Sequence, residues 1–306
     1  MKFEIELGFL FLMHLTKMGY CKFTFLALLY VFGSTVDAAF RDVPFDDIYD
    51  VVWGGDHVMF LNERRDAQLW MDPNSGAGFG SKLNYGSGFF HMRIKLPNKD
   101  SAGVVTAFYL TSNSSKHDEI DFEFLGNREG KPITLQTNVF AEGMGDREQR
   151  TLLWFDPTAD FHTYKLLWNL HQIVFYVDNI PIRVFRNKQD IGVPYPNQPM
   201  RIQVSLWNGE DWATDGGKTK IDWSHAPFVA HFQGFGFGAC PVPKNTIDVE
   251  GCYDSKYWWN GSKYWKLSGK EQRLFEEVRD KYYMNYDYCD DTNRHATTPP
   301  ECEFNK

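Results

Sequence analysis

The chain has 306 residues and is 43% hydrophobic, enough to bury one large core or two ordinary ones. Its formal net charge is -8 with no dense run of Lys or Arg, which sets aside nucleic-acid binding, since that needs a basic stripe. Aromatics reach 17%, with 26 Phe, 15 Tyr and 10 Trp; they suit the apolar faces of sugar rings and equally suit a β-rich core, so composition decides neither.

The first 38 residues read as an N-terminal extension and signal peptide. Residues 21–33 are mostly apolar, Lys17 and Lys22 lie near the start of the run, and Val36-Asp37-Ala38 forms a cleavage site before Ala39. The run is shorter than the roughly 20 residues of a membrane span. Met18 offers a second start, and the apolar residues between 5 and 16 leave an uncleaved anchor as the competing reading.

Residues 39–238 read as one all-β catalytic domain. Runs rich in β-branched and aromatic residues cover Ala67–Met71, Gly88–Ile94, Val104–Leu110, Glu119–Leu125, Ile133–Val139, His162–Trp168, Ile173–Val177, Ile180–Phe185 and Arg201–Leu206. Turn residues such as Asp72-Pro73-Asn74 and Asp156-Pro157 separate them, which predicts a sandwich rather than alternating β and α. Asp178-Asn179 predicts a tight hairpin between Val174 and Ile182.

From 239 to 306 the composition changes to a short extension. Cys21 would leave with the signal, and Cys240, Cys252, Cys289 and Cys302 form an even set in an exported chain, hence two disulfides. Nearest-neighbour pairing is preferred among three possible connectivities; zinc is disfavoured because no C-x-x-C is present. Ser268-Gly269-Lys270-Glu271 is a capping box, and Leu274, Phe275, Val278 and Tyr282 recur at helical spacing, so one helix is expected. Asn113-Ser114-Ser115 and Asn260-Gly261-Ser262 are glycosylation sequons.

The chemistry lies in His117-Asp118-Glu119-Ile120-Asp121-Phe122-Glu123-Phe124-Leu125-Gly126. On a strand, Glu119, Asp121 and Glu123 share one face, while Ile120, Phe122 and Phe124 take the other. Three like charges so close repel and raise one another's pKa, so a strand without use for them would carry other residues. A solvated charged face or a calcium site are the bland alternatives, but a flat strand wraps an ion poorly. Retaining glycoside cleavage needs two carboxyls about 5–5.5 Å apart. The Cα atoms of Glu119 and Glu123 should lie ~13 Å apart, a gap that two Glu side chains can largely close.

This segment resembles the active-site strand of the plant xyloglucan endotransglucosylase/hydrolases, in family 16 of the glycoside hydrolases. Leu135-Gln136-Thr137-Asn138-Val139-Phe140, His171-Gln172-Ile173-Val174-Phe175-Tyr176-Val177-Asp178, Asp211-Trp212-Ala213-Thr214 and Pro299-Pro300-Glu301-Cys302 also match in order, so the resemblance covers roughly 40–306. It implies a curved β-jelly-roll sandwich, with Glu119 as nucleophile, Asp121 as helper and Glu123 as acid/base. It further implies xyloglucan contacts at Gln136, Thr137, Asn138, Asp146, Arg147, Glu148, Trp212, Ala213, Gly217 and Arg294. Two departures stand out. Asn127-Arg128-Glu129 lacks the sequon that often follows the acid motif, and Asp215 replaces the family's usual Arg, which puts acceptor preference in doubt.

The resulting expectation is a secreted retaining transglycosylase of the cell wall or apoplast, acting on xyloglucan donor and acceptor chains. The short segment Trp207–Trp212 lacks the longer loop of the hydrolytic branch, so transfer is favoured over hydrolysis. No metal and no nucleotide or redox cofactor is implied, nor a membrane partner after signal cleavage, and a monomer is expected. The competing class is a wall protein that binds glycan without turnover, as a jelly roll with aromatics could; the intact acid row speaks against it.

Overall fold

In the computed structural model, residues 43–243, 246–281 and 283–305 are described. The expected signal at 1–38, with Cys21, and Tyr282 of the expected helix lie outside them. Fifteen strands form two antiparallel layers. The first runs β1 (Tyr49–Trp53), the first half of β4 (Ala77–Lys95), β12 (Met200–Asn208), β5 (Val104–Thr111), β6 (Glu119–Leu125), β7 (Thr134–Phe140), β8 (Gln149–Leu152) and β15 (Met284–Asp287). The second runs β2 (Val58–Leu61), β3 (Asp66–Met71), β13 (Phe228–Gln233), the second half of β4, β9 (His162–Trp168), β10 (Gln172–Val177) and β11 (Ile180–Arg186). Strand β4 pairs with β12 through residues 77–85 and with β9 through residues 88–94, so one strand passes from layer to layer. Strand β14 (Gly238–Val242) pairs with its middle.

The nine expected strands match β3 to β7 and β9 to β12, with only Ile133 falling outside, one residue before β7. The hairpin turns at Asp178-Asn179, with Asp178 at φ 54. The first half of β4 lies outside the expected strands and carries several glycines. They are there for close approach: a Cβ at Gly78 would sit 2.3 Å from the Trp53 indole nitrogen, and one at Gly86 2.8 Å from Cys252 Sγ. Strands β8 and β15 are four residues long and largely polar, too short to show a period.

The layers meet through aromatic rings. Phe122 of β6 stacks parallel to Phe108 of β5 at 6.1 Å and meets Phe175 of β10 edge-on at 5.2 Å. The outer face of the second layer is covered as well. Leu167, Val174, Tyr176 and Val184 pack against Cys240, Cys252, Trp259 and Phe275 of the extension. That is why β10 is buried along its whole length and reads as a continuous apolar run.

The extension holds a single long helix, here α2 (Gly269–Asp280); α1 is the one turn at Phe45–Ile48. Ser268 and Glu271 form both bonds of the capping box, and Phe275 and Val278 are the buried side chains of α2. Disulfides join Cys240 to Cys252 and Cys289 to Cys302. The division expected at 238/239 falls inside β14, and β15 extends the first layer beside β8, so the extension completes the sandwich. No described helix is long and apolar enough to cross a membrane.

Phe122→Ala removes the ring that joins the layers. It should lower the unfolding free energy by about 3–5 kcal/mol, read from urea denaturation midpoints; a loss below about 1 kcal/mol contradicts the packing role.

Candidate active site

The site begins with the apolar face of β6. Ile120, Phe122 and Phe124 are at most 1% exposed. Their burial turns Glu119, Asp121 and Glu123 to the opposite face, where all three line one cleft of about 620 Å3. The start of the strand is held by a fourth acid. Asp118 is fully buried and its carboxylate accepts from the backbone N–H groups of Glu142, Asn197 and Gln198 at 2.8–2.9 Å. The far end is held by Thr214, whose hydroxyl donates to the Gly126 carbonyl at 2.7 Å and accepts from Gly103 N at 2.8 Å.

Antiparallel register sets the floor of the cleft. Directly opposed residues form one cross-strand row: Gly78, Ser205, Ala107, Glu123, Gln136, Arg150 and Tyr286. Small side chains on one side of Glu123 leave room for a ring, and polar ones lie on the other. A second row carries Tyr109, Asp121 and Asn138, and a third Thr111, Glu119 and Phe140. Trp53, Trp207 and Trp212 complete the lining.

Burial pushes all three acids up. For Asp121 desolvation comes first, then the charges of Glu119 and Glu123; Arg183 opposes them, and a hydrogen bond with Glu119 raises it further. Asp121 is therefore protonated well above the ordinary carboxylate range. That same hydrogen bond, with one from Thr111 and the charge of His117, partly offsets the burial of Glu119. Glu123 is raised by burial, lowered by the Gln136 amide, raised by Glu119 and Glu148, and lowered by Arg150. Asp121 thus shares its proton with Glu119, leaving Glu119 as the carboxylate acceptor. Burial pushes Tyr109 up to about 12, with the three acids adding to it, so its hydroxyl stays protonated beside them.

The other expected contacts divide. Gln136, Asn138, Glu148 and Trp212 line the cleft. Asp146 and Glu148 line an adjoining groove of about 670 Å3, which shares Phe140 and Glu148 with the cleft. Arg294 pairs with Glu148 there and lies 4.0 Å from Asp146.

Four other expected contacts make interactions within the fold. Thr137 points into the sandwich, because strand period two places it opposite Phe122; Arg183 donates to its hydroxyl at 3.0 Å and its carbonyl at 2.6 Å. The Arg147 guanidinium donates to Glu301 at 2.8 Å and to the Met144 carbonyl at 2.7 Å, which holds the extension, and Arg147 also lines the adjoining groove. Ala213 packs beneath Trp212 with Val105 and Leu125. Gly217 serves the turn: its φ is 82 and a Cβ would lie 2.0 Å from the Asp211 carbonyl oxygen.

Asp215 is paired. Its carboxylate accepts from Arg128 at 2.8 Å and from Thr219 at 2.6 Å, so the two departures noted in the sequence neutralise each other at the surface. Of the sequons, Asn113 is exposed. Asn260 is buried, and its Nδ2 donates to the carbonyls of Cys252 and Asp254 at 2.8 and 2.9 Å, so a glycan there would displace both.

Sequence reasoning passed over Trp53, Tyr109, Arg150 and Trp207. Alternation along β5, two residues at a time, would have placed Tyr109 on the face of Ala107. The other three needed the register, which no local pattern states.

The model of glycosyl hydrolases family 16 matches residues 45–225, and that of the xyloglucan endo-transglycosylase C-terminus matches residues 253–302. Among curated proteins, xyloglucan endotransglucosylase/hydrolase protein 2 of Arabidopsis thaliana is 54% identical over 95% of this chain and 100% of its own. Xyloglucan endotransglucosylase/hydrolase protein 3 of the same plant is 57% identical over 85% of this chain and 89% of its own. Among solved structures, a Bacillus licheniformis β-glucanase superposes with TM-score 0.51 at 22% identity, over 66% of this chain and 95% of its own. The Crh5 transglycosylase gives 0.52 at 23% identity, over 64% and 80%. At those identities the likeness is one of fold.

Two outcomes check the site. The folded state binds the Asp121 proton more tightly than the unfolded state, so stability falls as pH rises through the ordinary Asp range, about 3.9. Asp121→Asn should therefore be more stable than the wild type in urea at pH 7, with the gain closing below about pH 4; equal or lower stability at pH 7 contradicts the raised affinity of Asp121 for its proton. Glycopeptide mapping of secreted protein should find sugar on Asn113 and none on Asn260.

Proposed function

Because the chain belongs to the xyloglucan endotransglucosylase/hydrolases of glycosyl hydrolase family 16, we propose that it cleaves xyloglucan with retention through a covalent glycosyl-enzyme and passes the chain to another xyloglucan end. The observation that carries this reading is the single cleft shared by Glu119, Asp121 and Glu123.

Glu119 attacks the anomeric carbon of the β-glucan backbone. Glu123 donates its proton to the departing sugar oxygen as that bond breaks, and Glu119 becomes an ester. The Asp121 proton, bonded to Glu119, holds the nucleophile in line and shifts with the charge. Glu119, now an ester, no longer carries the charge that raised Glu123, so the Glu123 pKa falls and its carboxylate stays ionised, available as the base. It then takes the proton of an incoming sugar hydroxyl, whose oxygen displaces Glu119. Water in place of the sugar gives hydrolysis. Trp53, Trp207 and Trp212 offer stacking faces for sugar rings, and Gln136 and Glu148 offer bonds to hydroxyls.

The adjoining groove, with Asp146, Glu148 and Arg294, continues the track for a polymer. Within this reading residues 1–38 direct export, 39–238 form the catalytic jelly roll and 239–306 the extension. The enzyme then acts in the cell wall as a monomer, building and remodelling xyloglucan.

The test offers xyloglucan with a fluorescent acceptor oligosaccharide. Label should enter polymer, and Glu119→Ala and Glu123→Ala should each lose at least about 100-fold in rate while still binding xyloglucan. Reducing ends without label incorporation would overturn transfer in favour of hydrolysis. Undiminished activity in Glu119→Ala would overturn the nucleophile.

A further inference from the structure

Glu123, Gln136, Arg150 and Tyr286 stand directly opposite one another on β6, β7, β8 and β15. The Arg150 Nε donates to the Gln136 carbonyl oxygen at 2.8 Å, and the Gln136 Nε2 donates to Glu123 Oε2 at 2.7 Å. The Arg150 guanidinium in turn lies 5.2 Å over the Tyr286 ring. A primary amide is close to symmetric in shape, so packing alone leaves its two orientations nearly equal. A guanidinium has donors and no acceptor, and it therefore admits only the orientation with the amide oxygen toward Arg150. The other end, by necessity, presents N–H to Glu123.

We propose that Arg150 is a positioning residue that locks the Gln136 amide with its N–H against Glu123, and that Tyr286 of the C-terminal extension holds Arg150 in place. This rests on the reading of Glu123 as the acid/base. It gives the extension a share in proton handling through one row of four residues.

Without the lock the amide can turn its oxygen to Glu123 and accept the carboxyl proton, which favours the neutral acid. Loss of the Arg150 charge acts in the same direction. The groups facing Glu123 are Glu119 and Asp121 on its own strand, Tyr109 on β5, and Glu148 and Arg150 from the β8 side, with Arg294 acting through Glu148. Of these, Arg150 favours its ionised form directly, as does the Gln136 amide.

The experiment measures kcat/KM against pH for the full secreted chain with a xyloglucan oligosaccharide donor, and repeats it with a nitrophenyl glycoside, whose leaving group needs no acid. Arg150→Met should move the alkaline limb up by about one pH unit and lower kcat about 10-fold on the oligosaccharide, with a smaller loss on the nitrophenyl donor. Arg150→Lys, which keeps a charged donor, should restore most of the limb. Tyr286→Leu should shift it in the same direction by less. An unmoved limb in Arg150→Met, or a rise in KM alone, would make Arg150 a sugar contact and overturn the lock. If Arg150→Met does not fold, an unmoved limb in Tyr286→Leu overturns it. A wild type inactive on every donor, or a fully active Glu123→Gln, overturns the acid/base reading instead.

Discussion

Everything at the site follows from one constraint, the burial of three apolar side chains on a seven-residue strand. Ile120, Phe122 and Phe124 enter the space between the layers, and strand geometry leaves Glu119, Asp121 and Glu123 no place but the cleft. A slip of one residue would bury the acids and expose the rings, so the register is under strong selection by energy alone. The anchors at both ends, Asp118 and Thr214, fix the position along the strand. The same antiparallel pairing delivers Tyr109, Asn138 and Gln136 beside the acids without any further device.

The arrangement works against stability locally. Burial raises the affinity of all three carboxyls for protons, and the charges of Glu119 and Glu123 raise that of the fully buried Asp121 further. The surrounding sandwich supplies what this costs through packed aromatics and a second layer covered on both faces. Under the proposed function the resulting imbalance is useful, because neighbouring acids in different environments can take different roles. The extension contributes by a second route. Through Arg147 with Glu301, and through β15 beside β8, it stiffens the edge of the layer from which Gln136 and Arg150 project.

Much of this was legible in the chain. The acid row, its apolar reverse, the hairpin at Asp178, the capping box at Ser268 and the nine longer strands are local patterns with a period or a turn chemistry. What was not legible depends on partners distant in sequence. The glycines of β4 show their purpose only when Trp53 and Cys252 are placed against them. Arg147 looks like a surface charge until Glu301, far along the chain, meets it in the interior. Thr137, between two cleft residues, was grouped with them although strand alternation alone sends it inward. Asn260 shows how a three-residue motif says nothing of whether its amide is already bonded inside the fold.

The central claim is that the Glu119 carboxylate becomes the covalent carrier of the sugar. A xyloglucan oligosaccharide donor fluorinated at the 2-position slows the second step, so the adduct accumulates and can be digested. Fragmentation of the tryptic peptide from His117 to Arg128 should place the glycosyl mass on Glu119. The mass on Glu123, or no adduct under conditions of turnover, would contradict the account.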